Sequence, residues 1–214
     1  MNKFIRNISF KWFLGGMVSV LCLMIFGVFL LAENTMQKKL YDQQMATRWS
    51  REGDVAQISV FFSESEGGDA DYFKGIEQSI NHALQQASIT TEKENARLWI
   101  DAVSKSGEVT LRSERAEIEL KAIGVSGEFF QFHPQKVLSG ALFSGDSIMQ
   151  DGVVIDKETA WQLFGSSNVE GMQVMIGQVP HFIAGVIEKP TGRLQKSAGL
   201  EKQVCYLSME SLEN

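Results

Sequence analysis

An uncharged run at 12–32, WFLGGMVSVLCLMIFGVFLLA, constrains this 214-residue chain more than any other feature. As a helix it reaches roughly 31 Å at about 1.5 Å per residue, which matches the hydrocarbon thickness of a bilayer, about 30 Å. A core helix of a soluble protein is shorter or keeps a polar stripe, and this run has neither property. It reads as a membrane span, so whatever follows must fold while tethered to a bilayer.

The flanking charge sets the orientation. Lys3, Arg6 and Lys11 precede the span, whereas the first charge after it is Glu33, with Lys38 and Lys39 further on. Cations collect on the cytoplasmic side, so the N-terminus is expected inside and the remainder outside. A cleaved secretory signal fits less well, because its apolar region is about 7–15 residues and ends in an A-x-A-like site. Here the run is longer and ends Leu30-Leu31-Ala32. Cys22 follows Leu21 in mid-span, which does not suit a lipoprotein signal, and no glutamate enters the apolar helix as in a pilin-like leader. An uncleaved anchor is the reading adopted.

The 182 residues at 33–214 are enough for one large domain or two small ones. The three N-terminal cations leave 17 Lys and Arg against 26 Asp and Glu, so the outer part stands at −9. That balance argues against nucleic acid as a partner, because phosphate binding needs a positive footprint. Cys22 lies in the span and Cys205 far along the chain, so no internal disulfide is expected. Cys205, within Val204-Cys205-Tyr206-Leu207, reads as a buried structural thiol.

Residues 33–51 lack Gly and Pro and are rich in helix formers, with Met36, Leu40, Met45 and Trp49 at near-helical spacing. The span is therefore expected to continue outward as a helical stalk ending near Gly53. Alternation over 55–62 predicts a strand. Phe73, Ile76, Ile80, Leu84 and Ala87 recur at helical spacing and predict an amphipathic helix over 71–87. Further strands are expected at 97–103, at 108–112 after a turn at Ser106-Gly107, and at 118–125. This β-α-β-β order suggests one helical layer on an antiparallel sheet. The last third reads as a strand at 152–155 and a helix capped by Asp156 and stopped by Gly165, with Ala160, Leu163 and Phe164 inward. A hairpin of 172–176 and 182–187 around Gly177-Gln178 follows, then an exposed loop at 191–200 and a strand at 203–207.

Chemistry-bearing patterns are missing. There is no G-x-x-x-x-G-K-[ST] phosphate loop, and Gly124-Val125-Ser126-Gly127 lacks the spacing of a nucleophile elbow. His82, His133 and His181 stand far apart without zinc-like spacing. The acidic stretch Glu64, Glu66, Asp69, Asp71 fails as a calcium loop, because Phe73 and Lys74 fall where an acidic or amide residue and a glycine are required. It reads as a solvated or helix-capping loop. Trp99, Phe129, Phe130, Phe132 and Trp161 read as core residues. No catalytic, cofactor-binding or metal-binding residue is assigned, and no cofactor is expected.

The pattern Val137-Leu138-Ser139-Gly140-Ala141-Leu142-Phe143-Ser144, then Gly152-Val153-Val154-Ile155-Asp156, then Ala160-x-x-Leu163-Phe164-Gly165, resembles a known family. Val169-Glu170-Gly171-Met172-Gln173-Val174-x-Ile176, Phe182-x-Ala184-Gly185-Val186-Ile187-Glu188 and the upstream Ile123-Gly124-Val125-Ser126 with Phe129-Phe130 extend the match. The resemblance is to the extracytoplasmic core domain of MacB-like ABC transporter permeases, the group that includes the FtsX and lipoprotein-releasing families. Within it Gly140 and Phe143 shape a turn, Gly171 opens a hairpin, and all of these residues are scaffold.

The resemblance implies an α+β extracytoplasmic domain carried by the first of four membrane helices and moved by a cytoplasmic ATPase that dimerises on nucleotide. The expected organisation is a cytoplasmic N-terminus at 1–11, a transmembrane helix at 12–32, a helical stalk at 33–52 and an extracytoplasmic domain at 53–214. That domain is expected to have two lobes of small mixed sheets with covering helices, at 53–115 and 116–214. With one span the chain reads as a fragment, one half of a split permease or a single-pass relative. Its expected function is that of a non-catalytic permease-type subunit of a cell-membrane ABC transport or mechanotransmission system. Its expected partners are membrane lipid, a cytoplasmic ABC ATPase and other permease subunits. A single-pass anchored interaction or sensor module is the alternative, and an anchored hydrolase is a third reading.

Overall fold

The computed structural model describes residues 2–37, 44–50, 55–63, 67–91, 96–144, 147–190 and 202–213. The chain divides into two compact units, Met1–Gln57 and Ile58–Asn214.

In the first unit, helix α1 spans Asn2–Gln37, 36 residues without interruption. Its stretch Gly15–Glu33 has a mean hydropathy of 2.4, long and apolar enough to cross a membrane. The helix is apolar all round and lacks a polar stripe, as a lipid-facing helix requires. Two of its hydroxyls turn inward to the backbone: Ser19 Oγ donates to the Gly15 carbonyl at 3.0 Å and Thr35 Oγ1 to the Leu31 carbonyl at 2.7 Å. Of the expected stalk, 33–37 continues α1 and a short helix α2 covers Met45–Trp49, while 38–43 and 51–54 lie outside the described residues.

The second unit opens with helix α3, Ala70–Gln86, followed by strands β1 (Ala102–Arg112) and β2 (Glu117–Gly127). Helix α4 (Phe129–Phe132) and strands β3 (Lys136–Gly140) and β4 (Gly152–Asp156) come next. Helix α5 (Lys157–Phe164), strands β5 (Gln173–Ile176), β6 (Val179–Glu188) and β7 (Val204–Ser208), and helix α6 (Met209–Glu213) complete it. The strands form one seven-stranded sheet, which draws on both sides of residue 115. β1 and β2 pair antiparallel over eleven positions, β2 runs parallel to β7, and β7 lies antiparallel to β4. β4 runs parallel to β6, β6 pairs with β5, and β5 returns to β1 through Leu111↔Ile176 and Arg112↔Met175. Six strands thus close on themselves as a small barrel, which removes sheet edges. β3 joins from outside along the second half of β6, where Lys136 pairs with Glu188 and draws that carboxyl below its ordinary value.

The core follows from alternation on strands covered on both faces. Val153, Ile155, Cys205 and Leu207 point to one cluster with Leu111, Leu120, Val174 and Ile183, closed by Ala160 and Leu163 of α5. Val154 and Tyr206 point the opposite way, to Val125, Phe129 and Ile187, under Phe130, Leu142 and Phe143. α5 is held at both ends. Asp156, fully buried, accepts hydrogen bonds from the amides of Glu158 (2.9 Å) and Thr159 (3.1 Å), from Thr159 Oγ1 (2.9 Å) and from the Val204 amide (3.2 Å). At the other end Gly165 adopts φ +74°, the left-handed stop that glycine reaches without a Cβ penalty. The Arg115 guanidinium lies against it, favourably for the helix dipole, and Ser113 Oγ donates to the Leu163 carbonyl at 2.7 Å.

Several sequence expectations change. Residues 55–62 have strand-like alternation yet lie outside the sheet. The expected turn at Ser106-Gly107 is absent, and β1 runs unbroken through it, beginning at Ala102 and not at 97. Its glycine serves another purpose: a Cβ at Gly107 would stand 2.9 Å from Leu212, and one at Gly124 2.8 Å from the same side chain. Glycine in a strand here marks close approach of another side chain. The sheet is mixed, as expected of the domain as a whole, and the antiparallel expectation for the β-α-β-β part holds only for the pairing of β1 with β2; 191–200 lies outside the described residues.

Two outcomes follow. Asp156→Ala removes the cap of α5 and leaves the Val204 amide without its acceptor, so denaturant unfolding is expected to show a loss of about 2–4 kcal/mol. Burial, reinforced by the charge of Asp156, pushes the Cys205 thiol up from 9.0 to about 12. A folded value above the unfolded one means that this stability is complete below pH 9.0 and is lost as pH rises toward about 12. In a Cys22→Ser background the advantage over Cys205→Ala should therefore shrink between pH 8.5 and pH 11; a constant difference contradicts it.

Candidate interaction surface

The residues with catalytic potential are dispersed. His82 lies on the exposed face of α3, and His133 stacks on Phe129 with ring centroids 4.4 Å apart. His181 is buried in β6 opposite Val174, its Nδ1 3.2 Å from the Val179 carbonyl. Among the described residues no group of three His, Cys, Asp or Glu side chains is placed to hold a metal ion. Asp69 caps α3 by accepting from the Tyr72 amide at 2.8 Å, as the capping reading of the acidic loop expects. Cys205 is fully buried between Ile155 and Ala122, an inert thiol.

The notable surface lies around α3. Sequence periodicity places Phe73, Ile76, Ile80 and Leu84 on one face, yet α3 buries no residue: Ile76 and Ile80 stay exposed, and Phe73 and Leu84 are half-buried. Between its first two turns and the barrel lies a cleft of about 490 Å³, lined by Phe73, Lys74, Glu77, Asp101, Ser126 and Glu210 among others. Three carboxylates and one ammonium make this lining polar, unlike the apolar pockets that take most small ligands.

The attachment of α3 is polar. Lys74 Nζ meets Glu210 Oε1 at 2.5 Å, and Glu213 Oε2 accepts from the Ala70 amide at 3.2 Å. Trp99 Nε1 donates to Asn81 Oδ1 at 2.9 Å, which explains why 97–101 runs beside the helix before the sheet begins. Both glutamates belong to α6, whose Met209 is buried and whose Leu212 sits on the glycine pair of β1 and β2. Sequence reading did not find α6, because five residues at the end of a chain carry no periodicity. Exposed apolar side chains complete the surface: Phe61 is 92% exposed and Ile148 101%.

Comparison with known proteins identifies the family. A family model described as MacB-like periplasmic core domain matches residues 14–214, taking in most of the apolar helix and all of the folded unit. The chain is 30% identical over 169 residues to the macrolide export ATP-binding/permease protein MacB of Photorhabdus laumondii, covering 74% of this chain and 26% of that one. With its counterpart in Pasteurella multocida it shares 34% identity over 92 residues, 42% of this chain and 14% of that one. The chain therefore spans about a quarter or less of these relatives. Among solved structures, the extracellular domain of the transporter YknZ from Gram-positive bacteria aligns over 64% of each chain, with 18% identity and a TM-score of 0.44. The periplasmic region of MacB from Actinobacillus actinomycetemcomitans aligns over 54% of this chain and 51% of that one, with 18% identity and a TM-score of 0.42. An apolar helix long enough to span a bilayer, a mixed α+β unit after it and a match over nearly the whole length lead to one assignment: the chain belongs to the MacB-like periplasmic core domain family, found in ABC transporter permeases.

Proposed function

We propose that this chain is a non-catalytic, permease-type subunit of an ABC transport or mechanotransmission system. In this reading 12–32 of α1 crosses the cell membrane, residues 1–11 lie in the cytoplasm, and the unit after the stalk lies outside. The observation that carries the reading is the continuity of α1, 36 residues or about 54 Å of uninterrupted helix, ahead of a domain of the MacB-like family. A helix longer than the bilayer core transmits tilt or displacement as a rod. A cytoplasmic ATPase acting near residues 1–11 would then move the outer unit, and other permease subunits would share the membrane with it. The names of the relatives, ATP-binding/permease proteins, support an ATPase as the partner. A second reading, an anchored interaction or sensor module, is favoured by the exposure of Phe61 and Ile148.

One measurement tests the orientation and a second separates the two readings. Cys205 is buried and Cys22 lies in the span, so single added cysteines report topology. Glu170→Cys in intact cells should react with a membrane-impermeant maleimide and Asn7→Cys should not; the reverse pattern overturns the orientation. Affinity purification from detergent-solubilised membranes should recover an ABC ATPase with the chain. Recovery of the chain without any ATP-binding protein transfers the assignment to the sensor reading.

A further inference from the structure

We propose that α6 is a latch: it is anchored in the barrel and holds α3 over the cleft by charge, so that α3 can leave while the barrel stays folded. The anchor is apolar and precise in shape. β7 leads directly into α6, Met209 is buried, and Leu212 occupies the hollow left by Gly107 and Gly124 on the neighbouring strands β1 and β2. The outward face of the same short helix carries Glu210 and Glu213. Glu210 pairs with Lys74, and Glu213 accepts from the first amide of α3 while also pairing with Lys105 of β1 at 2.8 Å.

The Lys74–Glu210 pair is well exposed, keeping 53% and 43% of its side-chain surface, while in the second pair Lys105 keeps 43% and Glu213 23%. Exposed ion pairs are weak and screened by salt. Other contacts of α3 among the described residues include the Trp99–Asn81 hydrogen bond and an edge-to-face contact of Phe73 with Phe62, 5.9 Å between centroids. With no buried residue and a cleft of about 490 Å³ beneath it, α3 is held by contacts that open independently of the barrel. Detachment also melts the helix. Its 17 residues, with Gly75 near the first third, are close to the length at which isolated helices are marginal in water. Amide exchange in α3 therefore reads the latch.

The test is hydrogen exchange on the full chain in detergent micelles, and it needs no transport partner. In the Glu210→Gln, Glu213→Gln double variant the amides of 74–86 should exchange about tenfold faster, at roughly threefold for each carboxylate removed. The amides of β2, β4 and β7 should keep their protection. Leu212→Ala, which removes the anchor and leaves both carboxylates, should accelerate 74–86 as well. The proposal is overturned if 74–86 exchanges as slowly in the double variant as in the parent. It is equally overturned if helix and barrel accelerate together in the double variant, which would make them one cooperative unit.

Discussion

The carboxylate of Asp156 sits where three elements must meet, and their relative placement depends on it. An ionised group without solvent contact is costly unless its lone pairs are filled. Here two amides and a hydroxyl at the start of α5 and the amide of Val204 fill them. Lys189 supplies the opposite charge, 3.9 Å from Asp156 and 2.7 Å from Glu158. The requirement therefore positions α5 on β4 and places the start of β7 beside the end of β4. Once β7 is there, its other edge takes β2, β2 brings β1, and β1 reaches β5 to close the barrel.

Closure gives the second unit an uneven distribution of burial. The barrel strands share two apolar clusters with almost no residual exposure. α3 lies beyond both clusters, on a polar cleft, tied by carboxylates borrowed from α6. Among the described residues the contrast is between strands packed on two buried clusters and a helix that buries no residue. The exposed Phe61 and Ile148 belong to the same folded unit and offer apolar surface to whatever that unit meets.

Much of this was legible from residues. The Asp156 cap, the Gly165 stop, the inward Ala160 and Leu163, the hairpin around Gly177 and the buried Cys205 all appear where local pattern places them. Each is decided within about ten residues, by a side chain bonding its own backbone or by an apolar alternation. Pattern failed where the partner is distant. Gly107 reads as a turn because glycine near serine normally marks one, and nothing nearby announces Leu212 a hundred positions later. Residues 55–62 alternate like a strand, but alternation records a preference for extended backbone and does not supply a neighbouring strand. The helix of α3 is where its period predicts, yet period gives a face and not the surface that covers it.

The sequence alone determined that an apolar helix of bilayer length precedes a mixed domain of this family, because charge depletion, helix length and short-range capping are properties of contiguous residues. Only the tertiary structure decided that seven strands share one sheet closed through β5, that Gly107 and Gly124 form a seat for Leu212, and that two glutamates of α6 hold α3. Those outcomes depend on groups separated by up to 143 positions, whose meeting is set by how the whole sheet closes.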